Sequence, residues 1–394
     1  MFITEKIDNF NNLLNDYIKD LPTLYKTVNF FQNSLDGNLS LDGIKFYLKN
    51  YTGLSENQYN TLLGYFEEIL SFMPKDNTIL DENKLISVVI PTYNQKKFLP
   101  EAIDSVLSQS YKNIELIIID DASTDGTEEI VKSKYGDNNK VFYYKNSTNL
   151  GTGKTIVKGY NLINGDFFVV MGHDDFYIDM DFFKNALKLY REHENISFIC
   201  GGVLISNIKY HSLEKSKVNL PFITSGKKYF ENLFLNQYQL PNCSIPTIFN
   251  KKLLDKTRPG NSISLYDVEL YMKALLTGNA IILNNFVSVY RIHGNNSSFN
   301  YPISALLNSF DSRLEILHSA IDDYNIDKNV VKKVHSRLLN ISIPWYLTSS
   351  KVSTEDYRLL INWLNSNASD YLSDNINYLN ILYINNILQK KHSS

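Results

Sequence analysis

Ile86-Ser87-Val88-Val89-Ile90-Pro91-Thr92-Tyr93-Asn94 is an apolar run that stops in a proline and a polar cluster. The same texture returns at Glu115-Leu116-Ile117-Ile118-Ile119-Asp120-Asp121 and at Asp166-Phe167-Phe168-Val169-Val170-Met171-Gly172-His173-Asp174-Asp175, with Val141-Phe142-Tyr143-Tyr144 between them. Short β-branched runs that alternate with helical stretches, here beginning after Lys97, Gly126 and Gly153, are the signature of βαβ units and a largely parallel sheet. In open α/β sheets ligands bind beyond the carboxyl ends of the strands. The clusters Thr92-Tyr93-Asn94, Asp120-Asp121 and His173-Asp174-Asp175 should therefore converge on one crevice.

Outward from this centre the periodicity changes. Ile7, Phe10, Leu14, Tyr17, Ile18 and Leu21 recur at helical spacing before Pro22. A second helix is expected from Ser55, which forms a capping-box pattern with Gln58, and carries Tyr59, Leu62, Leu63, Phe66, Ile69, Leu70 and Met73 on one stripe before Pro74. From about Tyr301 the helical period resumes through Leu306, Leu307, Phe310, Leu314 and Leu317. The expected organisation is a helical extension over 1–80, an α/β domain over 84–300 and a helical module over 301–394.

The 394 residues carry 43% hydrophobic and 21% charged side chains, an ordinary globular balance, and no apolar run approaches the length of a membrane span. A formal net charge of -3 gives no general attraction to nucleic acid, so that partner is not expected. Cys200 and Cys243 are the only cysteines and belong to no metal-ligand pattern. The start, Met1-Phe2-Ile3-Thr4-Glu5-Lys6, lacks a basic stretch followed by an apolar core, so the expectation is a cytoplasmic protein, with peripheral contact to the inner face of the membrane or self-association through the helical ends.

A carboxylate in the loop Asp120-Asp121-Ala122-Ser123-Thr124-Asp125-Gly126-Thr127 can accept a hydrogen bond from the imide of uracil or from a ribose hydroxyl. Asp120 and Asp125 are equally suited to capping a helix. Asp174 and Asp175, at the end of an apolar strand, stand where hard divalent cations such as Mg2+ or Mn2+ are held beside phosphate, and Asp175 is the first choice as ligand. A diphosphate leaving group needs its developing charge neutralised, which a bridging metal ion does without donating a proton. Gly153-Lys154-Thr155 has the ending of a phosphate-binding P-loop, but the earlier glycine that motif requires falls at Thr148.

Taken in order, the Pro-Thr-Tyr-Asn turn, the Asp-Asp-x-Ser-x-Asp-Gly-Thr loop and the Asp-containing strand end resemble the start of bacterial family-2 glycosyltransferases with the GT-A fold. The resemblance extends from about Leu85 to Ser298. It implies an α/β fold with a GT-A-like Rossmann-type mixed sheet flanked by helices, to which the helical ends are extensions. It further implies that Pro91, Thr92, Tyr93, Asn94 and Asp121 meet the nucleoside, that Asp174 meets the donor's ribose or sugar, and that Asp175 binds the metal, Mn2+ or Mg2+. The family's Asp-x-Asp reads His173-Asp174-Asp175 here, which puts His173 behind the ligands. Asn149-Leu150-Gly151-Thr152-Gly153-Lys154-Thr155 occupies the family's Asn-x-Gly stretch and leaves Lys154 or Lys158 to supply positive charge near the donor.

Leu265-Tyr266-Asp267-Val268-Glu269-Leu270 aligns with the family's Glu-Asp-x-Glu-Leu pattern, Tyr266 replacing the first Glu, and the resemblance makes Asp267 the general base. Taken alone, Asp267 is also a carboxylate well placed at a helix N-terminus. Tyr290-Arg291-Ile292-His293-Gly294-Asn295-Asn296-Ser297 resembles the segment that closes many such domains, with His293 a secondary metal candidate; Arg291 could instead pair with a core carboxylate. Gln239-Leu240-Pro241-Asn242-Cys243-Ser244 is expected to shape acceptor access.

The function implied is inverting transfer of a hexosyl or N-acetylhexosaminyl group from a UDP-sugar to a hydroxyl of a glycan, lipid-linked glycan or protein-linked glycan in cell-surface polysaccharide or glycoconjugate assembly. A dTDP-sugar presents the same base edge. Two other classes compete: a catalytically silent carbohydrate- or nucleotide-binding scaffold, suggested by His173 and Tyr266, and a nucleotidyltransferase, whose glycine-rich basic loop is missing near the first strand.

Overall fold

The computed structural model describes residues 53–71, 83–210, 212–294, 296, 301–349 and 351–391, together with positions 13, 17, 45, 48 and 49. The helix expected over residues 7–21 falls outside these, apart from positions 13 and 17, which are helical. The second expected helix is α1, Glu56–Ser71. Its start is closed as the pattern predicts: Ser55 Oγ accepts from the Gln58 N–H at 3.4 Å, and Gln58 Oε1 accepts from the Ser55 N–H at 3.0 Å.

The α/β region begins with β1 (Ile86–Thr92), α2 (Leu99–Leu107), β2 (Ile114–Asp120), α3 (Thr127–Tyr135), β3 (Val141–Lys145), α4 (Thr152–Tyr160) and β4 (Phe167–Val170). It continues through β5 (Phe176–Tyr177), α5 (Phe182–Glu192), β6 (Ile196–Asn207), β7 (Ser212–Ser216), β8 (Ile223–Thr224), α6 (Gly226–Glu231) and β9 (Thr247–Asn250). The short α7 (Lys251–Leu254), then α8 (Asp267–Thr277) and β10 (Asn279–Ile292), complete it. One sheet runs β3-β2-β1-β4-β9-β6-β10-β5, with β7 on β6 and β8 on β10.

The near-continuous hydrophobicity of β1 and β2 reflects burial on both faces, as parallel strands under helices require. Alternation divides them between two cores. Val89, Ile117 and Ile119 pack with α4 and α8, whereas Ile86, Val88, Ile90, Leu116 and Ile118 pack with α2 and α5 on the other side. β1 pairs in parallel with β2 and β4, and β2 with β3. Beyond β4 the sheet turns mixed: β9 is antiparallel to β4 and β6, and β10 runs parallel to β6 and antiparallel to β5.

Four helices follow, α9 (Ile303–Asp322), α10 (Lys328–Ser349), α11 (Thr354–Asn367) and α12 (Ser369–Lys391). Ile316, Leu317 and Ala320 of α9 and Val331, Val334 and Leu338 of α10 enter the same core as β1 and α8. The other end of α9 packs with α11 and α12 around Phe310, Tyr346, Leu360 and Leu364. Among the described residues no helix is long and apolar enough to cross a membrane.

Helix α4 lies very close to β1. A Cβ on Gly159 would stand 2.4 Å from Val89 Cγ1 in the middle of the core. Gly159→Ala is expected to cost about 1–3 kcal/mol through forced repacking, read as a lower denaturant midpoint at unchanged m-value.

Candidate active site

The loops after β1 and β2 are welded to each other. Asn94, at φ +51°, donates its N–H to Ser123 Oγ at 2.8 Å, and its Oδ1 accepts from the Thr124 N–H at 2.8 Å. Asp125 accepts from the Lys96 N–H at 3.0 Å and the Thr127 N–H at 3.0 Å, and Asp120 accepts from the Ser123 N–H at 2.7 Å and from the Tyr143 hydroxyl. Both thus hold the loops together, and neither is the N-cap of α3, which is Gly126 with no side-chain cap hydrogen bond. Thr92 Oγ1 is buried without a hydrogen-bond partner, while Tyr93 stands 45% exposed at the rim, its ring available for stacking.

Asp121 is committed to the neighbouring loop. Its Oδ1 accepts from Asn146 Nδ2 and the Leu150 N–H, and its Oδ2 from the Gly151 N–H, each at 2.8 Å. Asn146 Oδ1 in turn accepts from Lys158 Nζ at 2.6 Å. Of the two lysines that could offer charge to a donor, Lys158 is thus tied below Asp121, and Lys154 is exposed on the first turn of α4. Gly153 serves packing rather than phosphate: a Cβ there would meet the Tyr266 ring at 2.6 Å.

The end of β4 meets the end of β10. His173 Nδ1 hydrogen-bonds with Pro91 O at 3.0 Å, tying the Asp-containing loop back to β1. Asp174 Oδ2 pairs with His293 Nε2 at 2.9 Å and accepts from Asn296 Nδ2 at 3.0 Å, and Asp175 Oδ1 accepts from the Arg291 N–H at 3.0 Å. The other two oxygens face one place: a Cβ on Gly172 would sit 2.8 Å from Asp174 Oδ1 and 2.9 Å from Asp175 Oδ2. The cradle exists because residue 172 is glycine.

The two carboxylates are held in opposite electrostatic states. Burial alone would raise Asp174, but the His293 hydrogen bond and the charges of His173 and His293 outweigh it and bring the carboxyl below its ordinary range. Burial, joined by the charge of Asp174, drives Asp175 well above the usual carboxylate range, against the opposing Arg291 N–H. Two hard carboxylate oxygens, Asp174 Oδ1 and Asp175 Oδ2, are the chemistry that suits Mg2+ or Mn2+. Among the described residues no group of three or more His, Cys, Asp or Glu side chains is placed to hold a metal. His293 Nε2 is engaged with Asp174 Oδ2.

Asp267 opens α8. It is half-buried, and burial pushes its carboxyl up to about 6, with a Ser244 hydrogen bond opposing and the charge of Glu269 assisting. Its charge adds to the forces that raise Asp175. Glu269 Oε2 accepts from the Tyr266 N–H at 2.9 Å, closing the start of the helix, and Glu269 Oε1 accepts from Ser309 Oγ at 2.7 Å and Arg313 Nε at 2.6 Å.

The structure thus brings together Pro91, Asp174, Asp175 and His293, sets Asp267 near them, places Asp121 under the loop before α4, and leaves Tyr93 and Lys154 on the rim. Sequence reasoning missed the Glu269–Arg313 pair, Asn146, and the partners of Arg291. That guanidinium donates to Glu101 Oε2 at 2.7 Å and lies between the rings of Phe98 and Phe176, at 4.9 and 4.8 Å from their centroids. Asn296 could have been found from its place in the closing segment; Arg313 and Asn146 carry no local signal. Arg313→Met would strand the fully buried Glu269 carboxylate, with an expected loss of about 3–5 kcal/mol in a denaturation experiment and recovery when Glu269→Gln is added.

Residues 87–258 match the family described as Glycosyl transferase family 2. An uncharacterized glycosyltransferase of Rickettsia typhi is 33% identical over 226 residues, which is 56% of this chain and 66% of that protein. Abequosyltransferase RfbV of Salmonella typhimurium is 43% identical over 96 residues, 23% of this chain and 28% of its own length. The chain therefore spans less than two thirds of each of these relatives. Among solved structures, S. aureus TarS 1–349, crystallised with UDP-GlcNAc, superposes with a TM-score of 0.55 at 20% identity, covering 76% of this chain and 88% of that one, which is a likeness of fold. Motif order, sheet topology and these matches agree on one region: residues 87–258 match the family-2 glycosyltransferases, within a domain of GT-A-like fold.

Proposed function

We propose that this protein is an inverting glycosyltransferase that moves a sugar from a UDP-sugar to a hydroxyl of a glycan or glycoconjugate in cell-surface polysaccharide assembly, on the cytoplasmic side of the membrane. The observation that carries the reading is the pair Asp174 Oδ1 and Asp175 Oδ2 facing one cradle at the strand ends, with Asp267, whose carboxyl burial raises, close enough for its charge to act on Asp175. The TarS complex with UDP-GlcNAc, on a similar fold, supports the choice of uridine donor. Residues 84–300 form the catalytic unit in this reading, with 1–80 and 301–394 as extensions.

Pro91, Thr92, Tyr93, Asn94 and Asp121 line the nucleoside end, where the Tyr93 ring offers a stacking face and the Asp121 loop closes over the base. Lys154 offers its charge to the donor from the first turn of α4. Asp174, oriented by His293 and Asn296, meets the ribose or sugar, and Asp175 with Asp174 would hold Mn2+ or Mg2+. Such an ion, when bound, neutralises the charge that develops on the departing diphosphate.

Asp267 removes the proton from the acceptor hydroxyl as its oxygen bonds to the anomeric carbon. The bond from that carbon to the diphosphate oxygen breaks on the opposite face, its electron pair leaving with UDP, so configuration inverts. A carboxyl titrating near 6 is ionised at neutral pH yet more basic than an ordinary aspartate.

UDP-, dTDP- and GDP-sugars tested with and without Mn2+ should show metal-stimulated UDP release. Binding without release by any donor in the presence of a glycan acceptor panel would favour the silent scaffold. Asp175→Ala should abolish the metal stimulation in a folded protein. Asp267→Asn should lower kcat by about 10²–10⁴-fold with little change in donor affinity. The parent's kcat/KM should rise with pH through about 6, because the base works only when deprotonated, and that limb should vanish in the variant. The sign for stability is opposite: a raised carboxyl pKa means the folded state loses stability as pH climbs through that value, so Asp267→Asn should raise Tm more at pH 8 than at pH 4.

A further inference from the structure

The turn between α7 and α8, together with α8 and α9, encloses a cavity of about 230 Å³, none of whose lining residues belongs to the crevice at the strand ends. Arg258, Asn261 and Ser262 of the turn, Lys273 of α8, and Glu315 and Ser319 of α9 line it. The turn is fixed at three points. Asn161 Nδ2 donates to Gly260 O at 3.1 Å, the Ser264 N–H to Ser312 Oγ at 3.0 Å, and Lys273 Nζ to Thr257 O at 2.9 Å. The walls of the cavity are thus held in place by the chain itself.

Two observations point to an anionic occupant. Lys273 is only 5% exposed, and its hydrogen-bond partner is a carbonyl oxygen. Burial pushes its ammonium down to about 8, with the charges of Glu315 and Glu269 opposing, and among the described residues no carboxylate reaches ion-pair distance of it. A buried charge ordinarily has a partner of opposite sign. Arg258, for its part, holds the left-handed conformation at φ +49° immediately before Pro259, a position that is normally extended. Strain of this kind persists only where the surroundings impose it, and it gathers at ligand sites. The strained residue lines the same cavity as Lys273, and no described residue offers its guanidinium a hydrogen bond or an ion pair.

The rest of the lining selects what the anion carries. The Glu315 carboxylate would repel a bare anion but accepts hydrogen bonds from hydroxyl groups, and the Asn261 amide and Ser262 hydroxyl both donate and accept. A volume of about 230 Å³ lies below the roughly 300–1,000 Å³ of pockets for drug-sized ligands, so the occupant is small. We propose that this cavity binds the phosphate monoester of a single sugar, its phosphate taken by Lys273 and Arg258 and its hydroxyls by Glu315 and Asn261. The proposal is independent of the catalytic reading.

Glucose 1-phosphate titrated calorimetrically into the full chain should bind, in EDTA and with saturating UDP present so that the strand-end crevice does not compete. Lys273→Met and Arg258→Gln should each weaken binding about ten- to a hundredfold, the loss expected for a hydrogen bond to a charged group. Glu315→Gln should weaken it as well, and inorganic phosphate and methyl glucoside should each bind at least tenfold less tightly than the ester. Arg258 is exposed, so its variant tests the site even where Lys273→Met disturbs the core. Absence of binding, or binding that is unchanged in Arg258→Gln, overturns the proposal. Inorganic phosphate that binds as tightly as the ester, and more tightly still in Glu315→Gln, makes the cavity a site for the free anion and overturns the assignment to a sugar phosphate.

Discussion

Two carboxylates on consecutive residues, buried at a strand end, repel each other, and the site depends on how that repulsion is managed. Asp174 is given the hydrogen-bonding neighbours His293 and Asn296, which bring its carboxyl below the usual range, while Asp175 accepts a backbone N–H from Arg291 and burial with the Asp174 charge drives its carboxyl up. All of these partners sit at or just beyond the end of β10. That strand must therefore reach the crevice in the right register, and its long parallel pairing with β6, from Asn279↔Ile196 to Ile292↔Asn207, delivers it there. Arg291 is itself fixed by Glu101 and by the Phe98 and Phe176 rings, so the N–H that meets Asp175 belongs to a rigidly held residue.

The catalytic side of the crevice is supported from a different direction. Asp267 stands on the first turn of α8, and what orients that turn is Glu269, gripped by Ser309 and Arg313 of α9, with Arg313 Nη1 continuing to Ser342 of α10 at 2.7 Å. The C-terminal helices are thus part of the scaffold of the proposed base and share its core.

Much of the central sheet was legible locally. The strands at 86–92, 114–120, 141–145 and 167–170 follow from short apolar runs, and their polar ends converge as the parallel-sheet rule requires. Several residues read as ligands turned out to have a scaffold task in the same place: Asn94 and Asp121 spend their side-chain oxygens on neighbouring loops, and His293 spends Nε2 on Asp174. A motif shows that a residue type is needed at a position, and both duties call for the same residue type. Gly153 illustrates the point in reverse, since its P-loop-like context conceals a packing contact with Tyr266.

By itself the sequence determined the strand and helix order, the crevice at the strand ends and the pair Asp174–Asp175, because each of these rests on periodicity or on neighbours within a few residues. Only the tertiary structure decided which oxygen of each carboxylate faces the cradle, since the groups that claim the other oxygen come from 119 and 116 residues away. It alone revealed the Glu269–Arg313 support, 44 residues apart on two helices. It alone showed which side of α12 is buried, the one that carries Leu379 into the core of α10 and α11, because that side is fixed by residues from other helices.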